Sequence, residues 1–469
     1  MEQLNISKNN DTICAISTPA GVGGIAVIRV SGKDTFNIVG KCWMGKDLQQ
    51  VPSHTVHLGK IIDQKQEILD EVVATVYKAP NTFTGEDVIE ISCHGSIWIQ
   101  NQIINTLIAN GCRSAEGGEF TRRAFMNGKI DLSQAEAIAD VIASSSKASH
   151  RIAISQMRGG FSKELSSLRE QLLTFVSLIE LELDFSEEEV EFANREKLIA
   201  LATTIKNVIG KLANSFATGN AIKNGFPVAI VGETNVGKST LLNRLLHDDK
   251  ALVSDIKGTT RDVIEDTIQL GGLTFRFIDT AGIRETSDTI ENMGIERTYK
   301  KLNEASIVLW MIDVTQDISN LNNLAKDILP HAEDKHLLVV LNKIDKQEAT
   351  KVEEIKQIIK GLSPAIDIIE ISAKKDIGVE QLEETLIKTA NVSEVDSNAV
   401  VITNARHYDA LCHAGEAITR ALGGLEQQIS GDFISQDIRE CLHYIGEITG
   451  EITTHEILGN IFAKFCVGK

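Results

Sequence analysis

Apolar residues recur along this chain with two spacings, which predict different secondary structure. Short apolar runs bounded by Gly, Pro or Asp indicate strands, whereas apolar residues three and four positions apart indicate helices. The predicted strands are 12–17, 25–30, 72–77 and 88–92, followed by a helix at 97–108, and then 228–231, 273–278, 307–312 and 337–341. We therefore expect a multidomain chain that combines an α+β domain with an α/β domain.

Two helical segments flank the second group of strands. Each has an apolar seam with helical spacing: Leu165, Leu168, Leu172, Phe175 and Ile179 in the first, and Leu411, Ile418, Leu422, Leu425 and Ile429 in the second. We expect the two segments to pack together, so that the α/β domain is an insertion in a helical domain; two separate helical bundles are the alternative. The predicted domains are 1–128 (α+β), 129–222 (first helical part), 223–388 (inserted α/β domain) and 389–469 (second helical part).

A glycine-rich motif, Gly-Glu-Thr-Asn-Val-Gly-Lys-Ser, occupies residues 232–239 between a predicted strand and a predicted helix. In this context glycines let backbone N–H groups surround phosphate oxygens, and the helix N-terminus adds further anion stabilisation. Lys238 is expected to reach the β and γ phosphates, and the Ser239 hydroxyl to hold Mg²⁺. The residues expected around the phosphates are Gly232, Asn235, Val236, Gly237, Lys238, Ser239 and Thr240. This P-loop predicts a nucleoside triphosphate site.

Three further motifs follow it: Asp-Thr-Ala-Gly at 279–282, Asn-Lys-Ile-Asp at 342–345 and Ser-Ala-Lys at 372–374. Asp345 can accept hydrogen bonds from the N1–H and the 2-amino group of guanine, and a base that leaves this carboxylate unpaired is rejected. A surface turn is the alternative for Asn-Lys-Ile-Asp alone, but a P-loop about 100 residues upstream fits one compact domain. The combination predicts binding and hydrolysis of GTP, with Asp279, Gly282, Asn342, Lys343, Asp345, Ser372, Ala373 and Lys374 in the site.

Hydrolysis needs a group that the common GTPase pattern does not supply here. Ras-like GTPases carry a glutamine directly after the glycine of the Asp-x-x-Gly motif, where it orients the attacking water. In this chain the residue after Gly282 is Ile283. No motif identifies an arginine finger either, so another cation must offset charge in the transition state. The Asn235 amide oxygen is a candidate ligand for K⁺, which favours carbonyl-type oxygens. A local hydrogen bond within the loop is the alternative for Asn235.

Composition and charge narrow the functional classes. The 469 residues are 42% hydrophobic and 24% charged, as in ordinary globular proteins. The net charge of −18 argues against a free-standing nucleic-acid-binding protein. No apolar run is long enough to predict a membrane span, and the first residues do not resemble an export signal. Seven scattered cysteines without a C-x-x-C pair favour reduced thiols in a cytoplasm over a zinc site.

Two charged residues interrupt apolar strands near the amino terminus. Arg29 follows the apolar residues 25–28, and Glu90 stands between Ile89 and Ile91. Because a buried charge needs a partner, we expect these side chains to pair with each other or to reach solvent at a sheet edge.

Five further segments lie outside the motifs described so far: Asp-Thr-Ile at 11–13, Arg-Val-Ser-Gly at 29–32, Phe-Thr-Gly-Glu-Asp at 83–87, Gly-Thr-Thr-Arg-Asp at 258–262 and Phe-Cys-Val-Gly-Lys at 465–469. With these segments the chain resembles, over essentially its whole length, the MnmE (TrmE) family of GTPases that modify the wobble uridine of tRNA. The GTPase motifs occur in many proteins, so the two termini make the resemblance specific. Thr234 departs from the proline usual before the P-loop asparagine, and Val22 from a frequent basic residue.

For the nucleotide domain, the resemblance implies a K⁺ ion at the place of an arginine finger. The matching K⁺ ligands are Asn235, Ser254, Ile256 and Thr259, while Thr260 joins Ser239 on Mg²⁺. It also implies that Glu291 orients the attacking water, so that Glu291, Lys238 and Asn235 are the catalytic candidates; a plain surface glutamate is the alternative for Glu291. GTP is expected to draw together two such domains of a homodimer.

For residues 1–128 the resemblance implies a folate-binding and dimerisation domain. Arg29, Glu90, Lys129 and Lys469 would bind 5-formyltetrahydrofolate or a related tetrahydrofolate, and Cys466 is a possible one-carbon site, with an inert buried thiol as the alternative. The family acts with an FAD protein of the MnmG type, in a heterotetramer or larger complex, and adds a carboxymethylaminomethyl-type group to C5 of uridine 34 in certain tRNAs.

A regulatory or ribosome-assembly GTPase of the Era/Der type is the competing interpretation. Such proteins carry a basic KH-like module with a G-x-x-G loop after the nucleotide domain. Residues 391–469 contain no G-x-x-G and have five basic against eleven acidic side chains. The sequence therefore favours the MnmE-like interpretation.

Overall fold

The computed structural model describes residues 11–184, 195–248, 266–278, 302–317, 321–332, 334–364, 366–390, 400–463, 465 and 468. The chain divides into two compact units. The first comprises Met1–Ile142, Ile154–Lys206 and His413–Lys469, and the second comprises Ala143–Ala153 and Asn207–Cys412. Among the described helices, none combines the length and the apolar character that a membrane span requires.

The first unit contains a seven-stranded sheet near the amino terminus. Its strands are β1 (Ile13–Ile16), β2 (Gly23–Ser31), β3 (Trp43–Gly45), β4 (Thr55–Ile62), β5 (Ile68–Tyr77), β6 (Val88–Gly95) and β7 (Arg113–Ser114). They lie in the order β3-β4-β5-β6-β2-β1-β7, and neighbours are antiparallel except β1 and β7. The four predicted strands are confirmed, whereas β3, β4 and β7 were not predicted.

The helices of the described chain are α1 (Thr35–Gly40), α2 (Ile97–Ala109), α3 (Glu119–Met126), α4 (Leu132–Ala143), α5 (Lys147–Met157), α6 (Gly160–Asp184), α7 (Arg195–Asn214), α8 (Phe216–Asn224), α9 (Lys238–Asp248), α10 (Leu321–Ile328), α11 (Ala349–Leu362), α12 (Val379–Thr389), α13 (Ala405–Glu426), α14 (Gly431–Thr449) and α15 (His455–Phe462). Helices α1 and α2 cover one face of the amino-terminal sheet. Ile28 of β2 and Ile91 of β6 share a core with Ile38 of α1 and Leu107 of α2. The opposite face of this sheet carries Arg29 of β2 and Glu90 of β6.

The predicted helical seams are largely confirmed. All five apolar residues of the first seam are buried in α6. Helix α6 packs against α14, and Glu180 of α6 accepts a hydrogen bond from Arg439 of α14 at 3.1 Å. The two helical segments therefore pack together, and the alternative of two separate bundles is wrong. The second seam fails at its end, because α13 stops at Glu426 and Ile429 is exposed.

The second unit contains a six-stranded sheet. Its strands are β8 (Phe226–Val231), β9 (Asp266–Leu270), β10 (Leu273–Phe277), β11 (Ile307–Asp313), β12 (His336–Asn342) and β13 (Asp367–Ile371), in the order β13-β12-β11-β8-β10-β9. Neighbours are parallel except β9 and β10. Apolar residues of α9 and α12 pack on one face and those of α10 and α11 on the other. This doubly wound sheet confirms the predicted multidomain α+β and α/β fold class, with an α/β domain inserted between helical segments.

Candidate functional site

The P-loop follows β8 directly and takes a backbone path that two glycines make possible. Gly232 has φ +149° and Gly237 has φ +101°, in the region that favours glycine. A Cβ atom on Gly232 would lie 2.4 Å from the Met311 carbonyl oxygen, and one on Gly237 would lie 2.4 Å from Nδ2 of Asn342. Asn235, with φ +62°, adopts the left-handed conformation that asparagine tolerates. The close approach of the backbone at both glycines fits a phosphate cradle.

Lys238 begins helix α9 and turns back over its own loop. Its Nζ donates to the carbonyl oxygens of Gly232 at 2.5 Å and Glu233 at 2.8 Å. Ser239 and Thr240 follow in the first turn of α9. The ammonium group therefore lies over the loop, where phosphate oxygens can replace the carbonyls as its acceptors.

Asn342, at the carboxyl end of β12, joins three of the motifs. Its Nδ2 donates to the Val236 carbonyl oxygen at 2.7 Å, and its Oδ1 accepts from the Ala373 N–H at 3.1 Å. The side chain is buried. The P-loop and the 372–374 segment are thus held by one amide, although about 140 residues separate them along the chain.

Lys343 connects the P-loop to the end of β11. Its Nζ donates to the Asn235 carbonyl oxygen at 2.8 Å and to Oδ2 of Asp313 at 2.6 Å. Burial raises the pKa of Asp313, but hydrogen bonds from Lys343 and Thr315 outweigh it and hold the pKa below its usual range. Asp313 received no role from the sequence, although a carboxylate at the end of an apolar strand was a visible signal.

Asp345 lies where its two carboxylate oxygens are differently engaged. Oδ1 accepts from Oγ of Ser372 at 2.7 Å, and Oδ2 is 3.4 Å from Nζ of Lys375. The Ser372 hydrogen bond, followed by the Lys375 ammonium, lowers the pKa of Asp345. The group is therefore an ionised acceptor, as recognition of guanine donors requires. Lys374, next to Ser372 and Ala373, is exposed.

Several predicted residues of the nucleotide site fall outside the described part of the chain. They are Ser254, Ile256, Thr259, Thr260, Asp279, Gly282 and Glu291. The described residues therefore bring together the phosphate loop and the base-recognition motifs, from Gly232 to Thr240 and from Asn342 to Lys374.

Arg29 and Glu90 face each other across β2 and β6, in the interior of the amino-terminal sheet. Nε and Nη2 of Arg29 donate to Oε1 of Glu90 at 2.9 and 2.7 Å. Of the two expectations for these charges, mutual pairing is confirmed and a position at a sheet edge is wrong. The Arg29 guanidinium also lies over the Phe83 and Phe120 rings, 5.8 and 5.5 Å from their centroids.

Residues from the far end of the chain reach this pair. The Gly468 carbonyl oxygen accepts from Oγ of Ser17 at 3.1 Å and from Nη1 of Arg29 at 3.4 Å. A Cβ atom on Gly468 would lie 2.4 Å from the Ile16 carbonyl oxygen. Cys466 and Lys469 lie outside the described residues. Lys129 donates to the Pro80 carbonyl oxygen at 3.0 Å, in the loop that also carries Phe83.

A network of charged side chains supports the same region, and the sequence analysis missed it. Glu119 and Arg123 are both almost fully buried and pair at 3.1 Å. Arg113 donates to Glu119 at 2.5 Å and to Asp11 at 2.6 Å. Nη1 of Arg123 reaches Glu86 at 3.2 Å. The only sequence signal was the five charged residues among the eleven of 113–123, a density that is equally typical of an exposed helix.

The P-loop after β8 and the Asn-Lys-Ile-Asp motif after β12, joined by Asn342, define a P-loop protein of the guanine-nucleotide class. Two protein-family sequence models match this chain. The family model described as "GTP-binding protein TrmE N-terminus" matches residues 12–129, and the one described as "MnmE helical domain" matches residues 132–466. The chain belongs to the MnmE family of tRNA modification GTPases. This assignment goes against the competing Era/Der interpretation.

Related sequences align with this chain along their full length. The tRNA modification GTPase MnmE of Bacteroides fragilis is 56% identical, with 98% of this chain and 100% of the relative covered. Those of Bacteroides thetaiotaomicron and Cytophaga hutchinsonii are 55% and 49% identical, with 98% and 100% of this chain and 100% of each relative covered. Among solved structures, Aquifex aeolicus Era is 28% identical over 41% of this chain and 66% of that chain, with a TM-score of 0.29. A TM-score this low does not establish a shared fold.

Proposed function

We propose that this chain is a K⁺-dependent GTPase that works with an FAD-containing partner to modify C5 of the wobble uridine in certain tRNAs. Family membership supports GTP hydrolysis and a tRNA substrate. The observation that carries the nucleotide part of the proposal is the Asn342 side chain, which binds both the P-loop and the Ala373 backbone. Through it, the residues that contact phosphate and those that contact base belong to one site.

Within that site, each described residue has a defined role. The glycine cradle holds the phosphates, and Lys238 exchanges its two carbonyl acceptors for phosphate oxygens. Asp345 accepts from guanine, with Ser372 orienting its carboxylate. Ser239 would hold Mg²⁺ together with Thr260, which lies outside the described residues, and the ion would offset charge on the phosphates. The cradle fits this role because a side chain at Gly232 or Gly237 would collide with neighbouring atoms.

The proposed K⁺ site depends on the side chain of Asn235. Among the described residues, no hydrogen bond reaches its amide group, while Lys343 holds its carbonyl oxygen at 2.8 Å. The amide oxygen is therefore available to a cation, and the proposal assigns Ser254, Ile256 and Thr259 as the other ligands. When bound, K⁺ offsets the charge that develops on the phosphates, and Glu291 orients the attacking water.

We place the folate site at the Arg29–Glu90 pair. Both hydrogen bonds that Arg29 donates to Glu90 go to Oε1, and no described residue hydrogen-bonds to Oε2. That oxygen can accept from the donor edge of a pterin, while Arg29, Lys129 and Lys469 suit the anionic tail of a tetrahydrofolate. Cys466 is our candidate for the one-carbon step, a proposal supported by the hydrogen bond from Arg29 to the Gly468 carbonyl oxygen.

A homodimer through residues 1–128 is part of the proposal. The sheet face that carries Arg29 also exposes apolar side chains: Ile25 at 71%, Val56 at 62% and Leu58 at 76%. Val56 lies in the same cross-strand row as Thr75, Glu90 and Arg29. A second copy on this face would remove that apolar area from water. In this proposal residues 1–128 bind folate, residues 223–388 hydrolyse GTP, and residues 129–222 and 389–469 form the helical domain.

The partner proposed for this dimer is an MnmG-type FAD protein, in a heterotetramer or larger complex. An acidic chain with net charge −18 supports a division of labour in which the partner supplies much of the attraction for tRNA. A cytoplasmic location is also proposed. It is supported by the described cysteines, which are Cys14, Cys42, Cys93, Cys112, Cys412 and Cys441 and are all free thiols.

GTP turnover in matched KCl and NaCl buffers tests the proposal. We expect at least tenfold faster hydrolysis in KCl, since a cation at this position replaces a device worth ~10³–10⁵ in rate. Asn235→Ala should abolish the difference between the two salts. Asn243→Ala, the same change at an exposed position of α9, is the control and should retain it. Equal turnover in both salts would overturn K⁺ dependence.

A further inference from the structure

The segment 372–377 follows β13 and contacts Asp345. Backbone hydrogen bonds join its first and last residues, and an ion pair holds Asp376. Ser372 and Ile377 exchange backbone hydrogen bonds at 2.9 and 3.2 Å. Asp376 has φ +61°, a conformation that aspartate tolerates better than most residues. Its carboxylate accepts from Nε of Arg244 at 2.8 Å and also from Nη2. The guanidinium and the carboxylate therefore form a two-point ion pair.

The Arg244–Asp376 pair reaches this base-recognition segment from a different element than the other contacts do. Ser372 binds Asp345, and Ala373 binds Asn342, so both of these contacts come from the end of β12 and the residues directly after it. Arg244 lies on α9, the helix whose first residue is Lys238. The ion pair thus connects the helix that begins at the phosphate site to the segment that contacts the base.

We propose that Arg244 is a positioning residue for guanine-nucleotide binding, which acts through Asp376 to hold the 372–377 segment closed over the base. The proposal rests on the proposed recognition of guanine by Asp345. Because the Asp345 carboxylate is oriented by Ser372 of this segment, outward motion of the segment weakens base recognition. Breaking the ion pair therefore speeds nucleotide release and leaves the rate of association nearly unchanged.

The size of the effect follows from the exposure of the pair. The side chains of Arg244 and Asp376 are 37% and 44% exposed, so the ion pair is partly screened by solvent and salt. Exposed pairs of this kind are worth ~0.2–1 kcal/mol, which corresponds to roughly a 1.4- to 5-fold change in a rate or equilibrium constant. We expect release of a fluorescent GDP analogue to become about two- to fivefold faster in Arg244→Met and in Asp376→Asn.

The experiment is stopped-flow release of that analogue from the full-length protein. The double variant should release no faster than either single variant, because both changes remove the same interaction. The acceleration should shrink in 1 M KCl, because salt screens the wild-type pair as well. The unfolding temperature should stay within a degree or two of wild type. A merely structural role would move that temperature and not the salt dependence of release.

Lys356→Met is the matched control. It removes an ion pair to Glu370 of β13 that does not involve the 372–377 segment, and nucleotide release should match wild type. Unchanged release in both Arg244→Met and Asp376→Asn, or additive effects in the double variant, would overturn the proposal. Asp345→Asn separates the two levels of inference. If it leaves guanine-nucleotide affinity intact, base recognition by Asp345 is wrong; if it weakens affinity while Arg244→Met has no effect, only the positioning role fails.

Discussion

Nδ2 of Asn342 donates to the Val236 carbonyl oxygen across 2.7 Å, so the end of β12 and the P-loop share one buried hydrogen bond. The same Nδ2 would lie 2.4 Å from a Cβ atom on Gly237. The phosphate loop and the base-recognition motif therefore cannot be altered independently. A change in the glycine displaces the asparagine.

Gly237→Ala tests this dependence. Its φ of +101° strains an alanine, and the added methyl group pushes on Asn342. Strain of ~1–3 kcal/mol predicts GDP binding weaker by about fivefold or more, measured by calorimetry. Gly361→Ala is the control, because a Cβ atom there meets nothing within 4 Å, and its affinity should be that of wild type. Wild-type affinity in Gly237→Ala would contradict the shared contact.

Asp345→Asn should exchange base preference. The asparagine amide N–H can donate to the 2-oxo group of xanthine, but it faces the guanine 2-amino group with a donor in place of an acceptor. Rejection of this kind reaches roughly 10⁴-fold, so competition between GDP and XDP should reverse in favour of XDP. Asp334→Asn, at an exposed position before β12, should keep the preference for GDP. A guanine preference that survives Asp345→Asn would show that another group reads the base.

Glu119 should contribute to stability in a pH-dependent way. Burial raises its pKa, but hydrogen bonds from Arg113 and from the Glu116 N–H outweigh it, so the folded-state pKa lies below the ordinary value. A depressed pKa stabilises the fold above the unfolded-state pKa of about 4.3, and this stability is lost as pH falls through the folded-state value. The urea midpoint should therefore drop as the pH is lowered below about 5.

Glu119→Gln should flatten that acid dependence and lower the free energy of unfolding at pH 7. It removes one of the three carboxylates that pair with the almost fully buried Arg123, while Asp11 and Glu86 remain. Because these two partners still compensate the charge, we expect a cost of about 1.5–3 kcal/mol, the range for a hydrogen bond to a charged group. Glu164→Gln, at an exposed position of α6, should leave both the midpoint and its pH dependence as in wild type. If the Glu119 variant keeps the wild-type acid profile, another group accounts for it.

Gly468→Ala should weaken folate binding without touching a proposed ligand. With φ +92° and the Ile16 carbonyl oxygen 2.4 Å from a new Cβ atom, the residue must move. Arg29 then loses the carbonyl oxygen that it contacts at 3.4 Å. We expect several-fold weaker calorimetric binding of 5-formyltetrahydrofolate and faster trypsin cleavage near the end of the chain. Gly459→Ala, where a Cβ atom meets nothing within 4 Å, is the control. Unchanged binding in the Gly468 variant would show that Gly468 does not contribute to the proposed folate site.

Three of the strands that the sequence predicted share one physical property. Strands β8, β11 and β12 are buried on both faces, so each gives a continuous apolar run. Strand β4 was missed because its apolar residues Val56 and Leu58 face solvent. Strands β3 and β7 have three and two residues, too few to show a period.

The candidate site divides in the same way. Local motifs predicted Lys238, Asn342 and Asp345 as site residues. These motifs contain no information about which residues, far apart in the sequence, form contacts in the fold. The Asn342–Val236 contact joins positions 106 residues apart, and the Ser17–Gly468 contact joins positions 451 apart. Long-range pairing of this kind depends on the packed fold, and a single sequence carries no local signal for it.

The contact between α6 and α14 has a consequence for how the protein is made. Glu180 and Arg439 are 259 positions apart. A ribosome that adds ~5–20 residues per second therefore needs on the order of ten to fifty seconds to synthesise the intervening chain. Throughout that interval the nascent α6 lacks its α14 partner, so chaperones that shield apolar helices have time to act, and the inserted domain can fold before the helical pair closes.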